Sequence, residues 1–220
     1  MKRHPRPEGL HGTSPESFPQ CFPQCFSDKE LRHLRRLSTP AKIQAFLDKI
    51  PYHVAPTAWS PRKVLHEKTA HCLEGAIFAA AALRINGMPP LILDLEAIHD
   101  SDHVIAVYRQ NGAWGALASS NYSGCRYRSP VYRSLRELAL SYFEGYFNLR
   151  GERTLRTFSK PVNLSQFDSA NWMTTDEPVW FIAEHLIKIP HTRLLTPMME
   201  KSLLHVDRRS FKAGLHGYKK

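Results

Sequence analysis

Between Ala76 and Ile85 the chain reads AIFAAAALRI, almost without a polar side chain. A helix that is apolar on every side has no face to give to water, so it must lie in the middle of a domain. Asn86-Gly87 ends it with residues that tolerate positive φ, and Thr69 is placed to cap its start. After Met88-Pro89-Pro90 the chain continues LILDLEA, IHDSD, HVIAVYR, QNGA and WGALAS. Asn111-Gly112 between two strand-like runs is the strongest hairpin signal present. Alternation places His103, Ile105, Val107 and Arg109 on one strand face and Val104, Ala106 and Tyr108 on the other. The expected centre is a buried helix followed by an antiparallel sheet, an α+β arrangement.

Two residues of this stretch carry reactive chemistry. Cys72 stands in the first turn of the buried helix, where unpaired N–H groups and the helix dipole favour a thiolate. His103 opens a strand two elements later and can serve as its base. The competing reading makes Cys72 a core thiol and His103 an ordinary half-buried residue. His71 adjoins the cysteine, but neighbouring helix residues do not face each other. Glu74 is a first-turn acid stabilised by the helix end.

The remaining chain supplies bracing elements. Ser27 and Glu30 form a capping box for DKELRHLRR, and Thr39-Pro40 opens AKIQAFLDKI. Ser60-Pro61 begins PRKVLHEK, and Ser134 with Glu137 begins LRELALSYFEGYF, which is expected to cover the sheet. RTLRTFSKPVNL reads as a further extended strand, and Thr174 with Glu177 frames a helix over EPVWFIAEHLIKI. Residues 1–27, rich in Pro, Ser and Gly, read as an extended arm, 28–200 as a single domain, and 201–220 as a solvated or partly ordered basic tail.

Composition narrows the function classes. The net charge is +10, which permits association with nucleic acid or anionic surfaces. No recognition helix, zinc finger or aromatic strand motif accompanies it, so nucleic acid is a weak expectation. No apolar run approaches the ~20 residues that span a bilayer, and no secretory pattern opens the chain, so a cytoplasmic location without a membrane partner is expected. Cys21 and Cys25 in FPQCFPQCF are spaced like half a metal site, but no second pair matches them. Neither a metal, nor a cofactor, nor a disulfide framework is expected.

Cys72 at a buried helix start, Asp102-His103-Val104 entering a strand and NGAWGAL returning beside it resemble the transglutaminase-like superfamily, the papain-like cysteine fold. The run from Cys72 to Phe147 is similar to a little-characterised bacterial branch of that family. The resemblance implies a transglutaminase-like core of Cys-bearing helix on an antiparallel sheet, with flanking helices. It implies a cysteine-dependent hydrolase or acyltransferase acting on an amide or related acyl group of a peptide, protein or small molecule, through a thioester. Cys72 would be the nucleophile and His103 the base. In the family an Asp orients the histidine, but its position falls near Ala118, so Ser119, Ser120 or, best, Asn121 would substitute. The missing carboxylate keeps a second reading open, a catalytically inactive binding or scaffold protein of the same fold.

Overall fold

Asn111 and Gly112 both take positive φ, 51° and 79°, the backbone of a two-residue turn whose twist matches the flanking strands. They join β2 (His103–Gln110) to β3 (Ala113–Leu117) in a register that sets Val107 against Ala116 and Arg109 against Trp114. Around this hairpin a computed structural model describes residues 26–219. β1 (Leu91–Ala97), β4 (Arg128–Tyr132), β5 (Leu155–Ser159), β6 (Val162–Asn163) and β7 (His191–Arg193) complete a seven-stranded sheet. Its order is β4-β3-β2-β1-β5-β7, with β6 also on β1, and every pairing is antiparallel. The fold is mixed α+β, a multi-stranded sheet with several flanking helices.

Helices cover the two faces unequally. α1 (Asp28–Arg36), α2 (Pro40–Lys49) and α3 (Pro61–Glu67) gather around α4 (Cys72–Ile85), which is buried from Leu73 to Arg84. α4 packs on Val104, Ala106 and Tyr108, while Ile105 and Val107 join the opposite core with Leu138 and Tyr142. The alternation read from HVIAVYR is therefore the division between two cores. Gly75 lets α4 come this close: a Cβ there would lie 2.6 Å from that of Ser119, just beyond β3. Arg84, the one charge near the far end of α4, is held by Asp168 in two hydrogen bonds of 2.5 and 2.7 Å. A buried guanidinium is tolerated when a carboxylate meets its fork in this way.

Several elements differ from the expectation. His71, not Thr69, takes the position before α4, because the Glu74 carboxylate reaches back to the His71 N–H at 3.1 Å. Thr69 instead donates to the Pro51 carbonyl. The helix after Ser134 stops early, as α5 (Leu135–Leu140), and continues as a 3₁₀ turn over Phe143–Gly145. There Gly145 meets Gly124 so closely that either Cβ would clash. α6 (Trp180–Lys188) starts beyond Pro178 rather than at Glu177. The stretch expected as a solvated or partly ordered tail begins at the last residue of α7 (Pro197–Lys201) and contains α8 (Arg208–Gly214), whose Gly214 and Phe211 lie on Phe147. The arm and its Cys21-Cys25 pair lie outside the described residues up to residue 25. Among the described residues no helix is long and apolar enough to cross a membrane.

Candidate active site

Cys72 is the first residue of α4, and its side chain is half-buried beside the entry to β2. The sulfur lies 3.9 Å from the carbonyl of Asp102. Protein packs densely enough around it that burial raises the thiol pKa above its ordinary value. The backbone N–H groups of Val104 and Leu73 and the Tyr52 hydroxyl act in the opposite direction. The thiol is therefore not the low-pKa group that a helix N-terminus alone would give.

His103 is only 6 % exposed. Its ring leaves β2 on the side of Tyr142 and Tyr146, whose ring centroids stand 6.2 and 6.3 Å away. Nε2 lies 2.8 Å from the carbonyl oxygen of Cys125. Since a carbonyl can only accept, Nε2 carries the proton and Nδ1 is the basic nitrogen. Burial, followed at a distance by the Arg128 charge, brings the ring pKa down to about 4 against the upward pull of that carbonyl. At neutral pH the ring is uncharged.

The sulfur thus touches β2 through main-chain groups from the α4 side, and the imidazole departs on the other side. Both nevertheless border one cavity of about 250 Å³. Tyr52, Asp102, Ser120, Asn121, Tyr122 and Tyr146 are among its walls.

The residues considered as partners for the imidazole are otherwise engaged. The Asn121 amide donates to the Lys219 carbonyl and accepts from the Lys219 N–H, both at 2.8 Å. Ser119 donates to the Ala70 carbonyl, and Ser120 accepts from the Tyr122 N–H. Ala118 stands on the His103 face with Ala116 and Ile105, and its main chain is tied in both directions to the Gln44 amide of α2. The group behind the ring is the Cys125 carbonyl, which the sequence did not reveal because a main-chain oxygen has no residue signature. Tyr52 was missed for a similar reason, standing in PYHVAPTAWS, which has no period.

Beneath the thiol lies a second polar cluster. Glu74 is fully buried and accepts from the Thr57 hydroxyl at 2.6 Å and from the N–H groups of Trp59 and His71 at 3.1 Å. His53 Nδ1 stands 3.3 Å from the same carboxylate, and His71 Nε2–H donates to the Thr57 carbonyl. These contacts pin the loop before α3 to the first turn of α4, fixing the backbone that carries the sulfur. Among the described residues no group of three or more His, Cys, Asp or Glu is placed to hold a metal ion. No protein-family model matches this chain, and no curated protein matches it.

Proposed function

We propose that the chain is a cysteine-dependent hydrolase or acyltransferase of the transglutaminase-like fold, acting on an amide or related acyl group. The observation that carries this reading is the 2.8 Å bond from His103 Nε2–H to the Cys125 carbonyl. It supplies from the main chain what the family obtains from a carboxylate, a fixed acceptor that selects the tautomer with Nδ1 free to take a proton. His103 and Cys72 border the same cavity.

In this reading thiol and imidazole both rest uncharged, since burial raises one pKa and lowers the other. Proton transfer from sulfur to Nδ1 then accompanies attack on the acyl carbon. The developing oxyanion finds the Cys72 N–H at the start of α4, a position whose donors lack partners within the helix. The imidazolium, held by the Cys125 carbonyl, returns its proton to the leaving amine. Water or an amine then resolves the thioester with His103 again as base.

The test is acylation by an activated ester such as p-nitrophenyl acetate, followed by intact mass and peptide mapping. The expected result is an acetyl adduct on the Cys72 peptide, formed on the order of a hundred times more slowly in His103→Gln and absent from Cys72→Ser. Equal acylation of wild type and His103→Gln would overturn the reading. A second reading, a binding protein without turnover, is favoured by the placement of the sulfur on the α4 side of β2 and of the imidazole on its other side, and by Ala118 in place of a carboxylate. It is the outcome if no adduct forms.

A further inference from the structure

Asn121 makes the pair of hydrogen bonds that one strand makes to another, yet its partner is a single residue of the segment after α8. The N–H and C=O of Lys219 both bond its side-chain amide at 2.8 Å. The residue before it, Tyr218, is half-buried, lines the cavity of Cys72 and His103, and sets its ring edge-on to Tyr122 with centroids 5.2 Å apart. Tyr122 in turn meets Phe147 edge-on at 5.5 Å. Gly217, at φ 77°, makes the turn that aims this segment back at the cavity from the end of α8. Ser123 holds the approach by donating to the His216 carbonyl at 3.2 Å.

We infer that residues 217–219 are an intramolecular plug of the Cys72 cavity, which must withdraw before another chain is admitted. This rests on the reading of that cavity as the substrate site. The contrast with Gln44 is instructive. Gln44 also holds a residue's main chain in both directions, but it is buried and stitches α2 to the sheet. The Asn121 pair is exposed, where water competes for each bond and release leaves no polar group buried and unpaired. Because Asn121 touches only main-chain atoms of Lys219, the displacing ligand is an extended polypeptide of any sequence that places an aromatic side chain where Tyr218 stands. Its main chain would take the same two bonds.

The test uses the full chain and a fluorescein-labelled acetyl-Gly-Tyr-Lys amide, followed by anisotropy. Lys219→Pro removes the N–H from which Asn121 accepts and changes none of the side chains that line the cavity, whereas Lys219→Ala keeps that N–H. Lys219→Pro is expected to bind the peptide about tenfold more tightly than wild type, the factor by which a plug seated about nine-tenths of the time lowers apparent affinity. Lys219→Ala should match wild type, and adding Asn121→Ala to Lys219→Pro should abolish the gain. An unchanged affinity in Lys219→Pro, or a gain that survives Asn121→Ala, would overturn the plug. The same measurements on Cys72→Ser should give the same affinities. Failure of acylation at Cys72 alongside these results would therefore count against catalysis and leave the plug standing.

Discussion

At the scale of the residue, the informative group is an imidazole kept neutral. His103 is held at about 4, so between pH 6.5 and 4 the unfolded chain takes up a proton that the folded chain refuses. Stability contributed by neutral His103 is therefore complete above pH 6.5 and falls as pH drops, levelling off below about 4. The full span amounts to roughly 3 kcal/mol. Asp94, raised to about 6 by burial against the opposing hydrogen bond from His191, works the other way, because the folded state binds its proton first as pH falls. Comparing wild type with His103→Gln by urea unfolding at pH 7, 5.5 and 4.5 cancels the aspartate contribution. The stability difference between the two proteins should shift against wild type across that series; a flat difference would mean that the ring is solvated.

At the scale of the element, two 3₁₀ turns decide where the Cys125 carbonyl lies. Ser123–Cys125 carries it, and Phe143–Gly145 backs it, with Gly124 and Gly145 in backbone contact. A Cβ on Gly124 would fall 2.8 Å from the Gly145 Cα. Gly124→Ala is expected to cost about 1–3 kcal/mol in unfolding free energy and to move the carbonyl off the ring, with loss of Cys72 acylation. Normal acylation in a destabilised Gly124→Ala would show that the carbonyl does not set the imidazole. This layer also marks where the sequence stops being legible. The hairpin at Asn111-Gly112, the all-apolar α4 and the capped helices α1 to α3 are written in neighbouring residues, and each could be read. β4 and β7 form because other strands lie beside them, not because of their own pattern. Asn121 stood out as an amide, but its partner is 98 residues away, a distance that no local spacing encodes.

At the scale of the whole molecule, the sheet has two ends. On one side it stops at β4, with sequence RSPVY, and on the other at the three residues of β7 and the two of β6. Pro130 stands in the middle of β4 and has no N–H to give to a neighbouring strand. A stub of three residues gives too little length for a neighbour to zip along. Replacing Pro130 with valine restores an N–H next to Val131, which is 67 % exposed. Sedimentation velocity should then show mass rising with concentration for Pro130→Val but not for wild type. One ring of five atoms on an outer strand thus acts as a border guard: crowded copies of this protein can collide there without knitting into a shared ribbon.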